Sequence, residues 1–454
     1  MTDLRGRRVA VIGLAASGLA AVRALGELGA KVVVTERRPA DEMAEAVATA
    51  ESDGAEVHAG GHDPSHLEDA ELVVVSPGVP EGADILRVAT DRGLPIWSEL
   101  ELGARLVRCA YVGVTGTNGK TTTTEMVAAA MRETGLDAIA CGNMGYPFSL
   151  AALEGHDALA VEASSFQLRF HETFAPRVSA LLNLAQDHMD WHGSFEAYRD
   201  AKRRIHVNQH GDDVHVGNRE DPAAAEVSSE APCRVAWFTL GEPDEGQVGY
   251  SGDELVSRLR SDAASLGVVT ASAPSIRADA AAAAAVALSF GVDADAAGRA
   301  LRRFPPLPHH GETVAEVDGV RFVDDSKATN PHAAVATLRG FPGAVLICGG
   351  DSKGIDLSPL RAAIPGLTAA VVLGKAADEL ERLFEGHLPV HRSGSIEEAV
   401  RIAHRLSAPG GSVVLAPACA SWDMFADYRE RGDRFTAAAR GIASATERVH
   451  GERR

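Results

Sequence analysis

The 454-residue chain has five cysteines, Cys109, Cys141, Cys233, Cys348 and Cys419, and no C-x-x-C pair. That scatter argues against a disulfide framework and against zinc, and the thiols read as reduced, buried small hydrophobes. No run approaches the ~20 apolar residues that a membrane span needs. The opening Met1-Thr-Asp-Leu-Arg-Gly-Arg-Arg8 lacks the apolar core and cleavage site of a secretory signal, so the chain reads as cytoplasmic. Positive charge is also short: 44 Lys and Arg stand against 63 Asp and Glu, a formal net charge of −19. This balance argues against nucleic acid or an anionic membrane as the main partner. A polyanion would have to be held at local basic sites. Hydrophobic content of 45% over this length is enough for about three domains.

What is present is organised around Tyr111-Val-Gly-Val-Thr115-Gly116-Thr117-Asn118-Gly119-Lys120-Thr121. An apolar strand run stops at a glycine-rich turn, and a helical pattern continues from Thr122 to Met131. Glycines let backbone N–H groups curl around a phosphate, and a helix start adds unpaired N–H groups at a positive dipole end. Lys120 can reach terminal phosphates, and the Thr121 hydroxyl can hold Mg²⁺. The full Walker spacing is missing, because Gly116 lies three residues before Gly119 rather than five.

Other strand ends carry polar residues in the same way. Arg8 to Ile12 reads as a buried strand, and Gly13-Leu-Ala-Ala16-Ser17-Gly18 opens a helix to about Leu28. This is a dinucleotide fingerprint that lacks its middle glycine, replaced by Ala15, which weakens the case for NAD or FAD but still permits a nucleotide. Lys31 to Val34 ends near Glu36, where an acidic residue meets a ribose in such folds. Leu72 to Val75 stops at Ser76-Pro77-Gly78. Ala158 to Val161 ends at Glu162, a natural second Mg²⁺ ligand beside a phosphate loop. Ser179 to Leu184 runs into Asp187-His188-Met-Asp190, and a helix from Ser194 to His206 carries Lys202. Asp221 to Ala273 is weakly patterned and reads as short strands and loops. The alanine run from Ala278 predicts a helix to Phe290.

Phe304-Pro-Pro-Leu-Pro308 is a stiff linker. Beyond it, strands at Val320–Val323, Ala344–Cys348, Ala369–Leu373 and Ser412–Leu415 end in segments bearing Asp325, Lys327, Thr329, Lys353, Lys375 and Ser421. In a doubly wound sheet those ends share one edge. The expected domains are 1–96, 97–304 and 305–454, with hinges near Pro95 and Pro305.

Five segments, together and in order, resemble the motif set of the bacterial Mur ligases over nearly the whole chain. They are Thr115-Gly-Thr-Asn-Gly-Lys-Thr121, Glu162-Ala-Ser-Ser-Phe-Gln167, Asp187-His-Met-Asp190, Asp325-Ser-Lys-Ala-Thr-Asn330 and Pro417-Ala-Cys-Ala-Ser421-x-Asp-x-Phe425. The resemblance implies an α/β chain of three domains: a UDP-binding Rossmann-like one, a P-loop ATPase with a mostly parallel sheet, and a C-terminal Rossmann-like one. Ser76-Pro-Gly78 and the Asp325–Asn330 form favour the branch that adds glutamate to UDP-N-acetylmuramoyl-L-alanine (UDP-MurNAc-L-Ala). ATP would activate the acceptor carboxylate as an acyl phosphate in peptidoglycan precursor synthesis, with D-glutamate as the amine. The cofactors implied are ATP and two Mg²⁺ ions. A monomer meets every requirement.

By the same resemblance, Gly116, Thr117, Asn118, Gly119, Lys120, Thr121, Thr122, Asp325 and Lys327 would bind ATP. Thr121 and Glu162 would hold one Mg²⁺. His188 and Lys202, the latter as a carbamate, would serve the second. Gly13, Ala16, Ser17, Gly18, Glu36, Arg37, Ser76, Pro77, Gly78 and Asn143 would contact the UDP substrate. Thr329, Lys353, Ser421 and Tyr428 would grip glutamate, since two carboxylates call for two sets of cations and donors. Three positions depart from the family pattern. His310 stands where an arginine is usual, Arg277-Ala-Asp-Ala-Ala281 replaces a His-Asn-x-x-Asn helix start, and Tyr428 replaces the common Phe. Competing readings are a sibling or folylpolyglutamate-type ligase, a non-catalytic nucleotide-binding regulator, and an oxidoreductase, the last undercut by Ala15.

Overall fold

The computed structural model describes residues 3–260, 262–269 and 274–451, with side chains to 443. Residues 270–273, at the end of the weakly patterned stretch, lie outside the described residues. The chain forms two compact units. One comprises residues 3–184, 191–260, 262–269 and 278–304, and the other residues 185–190, 274–277 and 305–451.

The first unit contains two sheets. The smaller is wholly parallel, in the order Glu56–Ala59, Lys31–Glu36, Arg8–Ile12, Leu72–Val75, Ile96–Ser98. Its central strands are valine-rich and buried on both faces, which is why they read as continuous apolar runs. The strand order reverses at Arg8–Ile12, and ligands of open α/β sheets bind at such a switch point. The larger sheet runs Ala264–Val268, Glu254–Ser257, Gln247–Ser251, Arg234–Phe238, Val214–Asn218, Val178–Leu181, Ala110–Thr115, Ala158–Glu162, Ala138–Gly142. It is parallel except at the edge formed by the first three strands. Tyr111, Phe148 and Phe174 pack together beneath it, with ring centroids 5.4–6.2 Å apart.

Two helices differ from the sequence expectation. The alanine-run helix spans Pro274–Phe290, four residues earlier than expected, because Pro274 suits a first helical turn. Ala280 to Ala287 are buried without a break, as in a helix covered on all sides. Pro222–Ser229 is also a helix, although that stretch reads as strands and loops. Its start signals are local: Asp221 Oδ1 accepts from Ala224 N at 3.0 Å, and Pro222 takes the first position.

The second unit holds one sheet, in the order Glu312–Val317, Val320–Asp324, Ser412–Leu415, Ala344–Gly349, Leu367–Leu373, Val390–Arg392. Only the first pair is antiparallel. Separate cores cover its two faces, around Leu346, Val372 and Phe384 on one side and Phe322, Val400 and Phe435 on the other. Because the remaining strands are parallel, their C-terminal ends meet at one edge. The three-sheet α/β class is that expected from the sequence. All five cysteines are free, and burial pushes the Cys419 thiol up to about 12, in keeping with inert thiols.

Candidate active site

The strand Ala110–Thr115 delivers the chain to the loop at residues 116–119, and the helix Lys120–Arg132 leaves it. The helix begins at Lys120, two residues before the pattern read from sequence. Gly119 sits at φ +83°, in the left-handed region, and a Cβ there would overlap Asp279 Oδ1. Glycine is therefore required twice over, by backbone conformation and by close approach. Asn183 holds the loop from outside. Its Oδ1 accepts from Asn118 N at 2.8 Å, and its backbone O accepts from Thr117 N at 3.0 Å. Thr117 Oγ1 and Tyr198 OH share a hydrogen bond of 2.9 Å. Lys120 Nζ donates to Gly116 O and Thr117 O, at 3.0 and 2.9 Å, so the ammonium lies over the loop.

At the foot of the loop, Thr121 Oγ1 donates to Glu162 Oε2 at 2.7 Å, and Asn143 Nδ2 donates to Glu162 Oε1 at 2.9 Å. Glu162 is 2% exposed. Asn143 thus stands beside the loop's carboxylate. Buried Lys202 reaches the loop from the helix Phe195–Arg203, donating to Gly116 O at 2.7 Å, with its ammonium 4.8 Å from the Tyr198 ring centre. Among the described residues, no three His, Cys, Asp or Glu side chains gather as a metal cluster. A hydroxyl and a carboxylate in contact under a phosphate loop are nevertheless oxygen donors of the kind that suit Mg²⁺, which is usually bound by few protein ligands plus phosphates. The residues present fit that ion.

The N-terminal turn is tight. Gly13 sits at φ +89°, a Cβ on Gly18 would overlap Gly13 O, and Ser76 Oγ donates to Gly13 O at 3.0 Å. Glu36 Oε2 accepts from Leu14 N at 2.7 Å, and Oε1 accepts from the Arg38 backbone N–H and Nε. Burial works against its charge, yet the Arg38 guanidinium and these N–H groups bring Glu36 down to about 2. Arg38 pairs with Glu36 at 3.1 Å, and Arg37 is exposed. Ser76 and Pro77 also line a recess with Phe166, Gln167, Phe170 and Trp191.

Within the second unit, His188 lies at φ +56°, its N–H held by Asp187 Oδ1, and Asp187 Oδ2 accepts from Asn330 Nδ2 at 3.2 Å. His188 and Lys202 thus fall in different units. The C-terminal ends of the parallel strands Val320–Asp324, Ala344–Gly349, Leu367–Leu373 and Ser412–Leu415 lead into the segments bearing Asp325, Lys327, Thr329, Lys353, Lys375 and Ser421, and Tyr428 opens the last helix. Burial raises Asp325 to about 7, against a hydrogen bond from Thr337 and with help from the Asp324 charge. Asp324 accepts from His309 Nδ1 at 2.7 Å, and that bond holds the imidazole above its usual range. Arg431, 1% exposed, ties the edge together. Its guanidinium donates to Ser326 Oγ at 3.0 Å, Ser326 O at 2.9 Å, Cys419 O at 3.1 Å and Gly349 O at 3.5 Å. Burial lowers its pKa to about 10. Sequence reasoning missed Arg431, Asn183, Tyr198 and Asp279. Asn183 and Tyr198 lie inside motif-bearing segments, and Asp279 lies inside the Arg277–Ala281 segment that departs from the family pattern, so these could have been flagged, but nothing in the spacing marks Arg431.

Three family models match the chain in order: the Mur ligase MurD-like N-terminal domain at residues 7–98, the Mur ligase middle domain at 114–288, and the Mur ligase glutamate ligase domain at 311–419. Proteins named UDP-N-acetylmuramoylalanine–D-glutamate ligase align over nearly full length. That of Frankia casuarinae is 42% identical over 96% of this chain and 94% of its own, and that of Thermobifida fusca is 42% identical over 97% and 100%. The chain belongs to the Mur ligase family. Solved structures agree on the fold. MurF from Acinetobacter baumannii superposes with a TM-score of 0.62 over 96% of this Mur ligase and 93% of its own chain, at 17% identity. A pseudomurein peptide ligase type C from Methanothermus fervidus gives 0.61 over 96% and 100%, also at 17%.

Proposed function

We propose that this Mur ligase joins D-glutamate to UDP-MurNAc-L-Ala with consumption of ATP. The observation that carries the reading is the 42% identity, over 96–97% of the chain, to ligases of that name. The chemistry begins with a carboxylate, which does not acylate an amine in water because its leaving group is too poor. Transfer of the γ-phosphoryl of ATP to the terminal carboxylate gives an acyl phosphate and releases ADP. The glutamate amine attacks that carbonyl, and inorganic phosphate leaves from a tetrahedral intermediate.

The chain's own groups suit these steps. The N–H groups of residues 116–119 and the helix start at Lys120 would cradle the phosphates, and the Lys120 ammonium would neutralise charge on the transferring phosphoryl. Mg²⁺ bound at Thr121 and Glu162 would supply Lewis-acid stabilisation of that phosphoryl. Asn143, by donating to Glu162, holds the carboxylate in place for it. His188 and a carbamylated Lys202 are proposed for a second Mg²⁺. Addition of CO₂ to the neutral amine forms an N–C bond and releases a proton, turning a cationic arm into a carboxylate-like one. Gly13, Ser76 and their neighbours would take the UDP portion, and Lys353, Thr329 and Ser421 the amino acid. The proposed domain division is 1–96, 97–304 and 305–454. The proposed setting is the cytoplasm, with the protein acting as a monomer; among the described residues no helix is long and apolar enough to cross a membrane.

The test is phosphate release with UDP-MurNAc-L-Ala, ATP, Mg²⁺ and either D- or L-glutamate. Release that needs both the sugar nucleotide and D-glutamate supports the reading, and release indifferent to glutamate rejects it. Lys202→Ala should lose activity and regain part of it when a small carboxylate is added to the buffer. Full activity without additive would reject the carbamate.

A further inference from the structure

Trp422 is the most exposed of the large apolar side chains described, at 67%, and nothing in the packing of the second unit accounts for it. Its ring is nevertheless held in place. The turn that bears it is closed by Met424 N and Phe425 N donating to Ser421 O, at 3.1 and 2.9 Å, and Ser421 is buried. On the other side Asp423 Oδ2 accepts from Lys375 N at 2.8 Å. An exposed aromatic on a turn anchored at both flanking residues is presented outward.

The Lys353 ammonium lies over that ring, 4.4 Å from its centre. Lys353 itself is an oddity, a lysine at φ +50°, a region that non-glycine residues seldom adopt. The conformation is held by Asp351 Oδ1, which accepts from Lys353 N at 2.9 Å. The other oxygen of Asp351 takes the Lys375 ammonium at 3.0 Å. Asp351 therefore fixes the backbone of one lysine and the head of another. Among the described residues, no carboxylate lies within ion-pair distance of Lys353 Nζ. A carboxylate partner would compete with any incoming carboxylate. An aromatic face orients an ammonium without cancelling its charge.

We propose that Trp422 is a positioning residue for the amino-acid substrate: it holds the Lys353 ammonium, poised and outside any direct ion pair, to receive a glutamate carboxylate. This rests on the functional reading above, in which Lys353 grips glutamate. The same segment repeats the device, with the Lys327 ammonium 4.1 Å from the centre of the Tyr428 ring.

The experiment measures steady-state phosphate release while glutamate, ATP and UDP-MurNAc-L-Ala are varied in turn. Trp422→Leu should raise KM for glutamate by about three- to fivefold, the scale of a cation–π contact at an exposed site, with kcat and the other two KM values unchanged to within about 1.5-fold. Trp422→Phe should recover most of that loss. In a Lys353→Gln background, Trp422→Leu should add less than about twofold, because the ring acts through the lysine. With enzyme preloaded with the sugar nucleotide and a non-hydrolysable ATP analogue, glutamate should change tryptophan emission in the wild type and not in Trp422→Phe. An unchanged glutamate KM in Trp422→Leu, an equal rise in all three KM values, or full additivity with Lys353→Gln would overturn the proposal while leaving the ligase reading intact. A wild type that releases phosphate without glutamate would remove the reading beneath it.

Discussion

Lys120 and Gly119 divide one task between them. Gly119 lets the backbone turn at φ +83° against Asp279, and Lys120 follows at the helix start with its ammonium over the loop. Truncation of the lysine removes charge where the phosphoryl would move and leaves no buried cavity. Lys120→Ala should therefore lower kcat by at least about a hundredfold, the cost of losing one transition-state donor, while the thermal midpoint stays within a few degrees. Near-normal turnover would mean that the loop serves another purpose. Asp325 supports a different prediction. Its folded-state pKa of about 7 lies above the ordinary 3.8 because the carboxyl is fully buried. Between these values the unfolded chain ionises this group while the folded chain keeps its proton. Stability contributed by the group is thus complete at low pH, falls as pH rises through the window, and levels off above about 7. The slope is at most about 1.4 kcal/mol per pH unit. Asp325→Asn has no such titration, so the wild-type-minus-variant difference in unfolding free energy should decline from pH 4 to pH 7. A difference flat with pH would show that Asp325 is ionised in the fold.

Elements were legible where a local signal and the burial pattern agreed. The parallel strands before Gly13, Gly116 and Glu162 read directly as apolar runs with polar ends. The loop, Thr121 and Glu162 converge in the first unit as their chemistry suggests, and Lys202, marked only by the family resemblance, lies buried beside them. The helix Pro222–Ser229 was obscured because Ala, Ser and Glu around it carry little periodicity, yet Asp221 and Pro222 spell its start. Removing that cap is a clean check on how much the start signal contributes: Asp221→Ala should destabilise the first unit by about 1 kcal/mol. The loss could be somewhat larger, since Asp221 Oδ2 also accepts from Leu184 N at 2.9 Å. Denaturant melts would measure it. Contacts that join remote segments were not legible. Asp279 against Gly119 and Asn143 on Glu162 depend on how strands and helices pack, and no spacing rule encodes them.

For the molecule as a whole, the net charge of −19 sets a background against which anionic substrates must arrive. The attraction is confined to short-range groups such as Lys120 and Lys353, whereas the repulsion acts at long range and is screened by salt. With the sugar nucleotide below saturation, the initial rate should rise by about twofold between roughly 10 and 150 mM salt. A fall over the same interval would show that local cations dominate the approach.

Arg431 bears on how such a protein can change over time. One guanidinium reaches the backbone at the ends of three different strands, at Ser326 and Cys419 in the loops after two of them and at Gly349, the last residue of a third. Lengthening either of those loops by a single residue would strand a buried charge opposite a missing acceptor. Descendants of this chain are free to exchange what the loops display, Trp422 included, but not how far apart the loops stand. Novel amine preferences should therefore arise by replacement of exposed side chains along that rim, and indels should collect elsewhere.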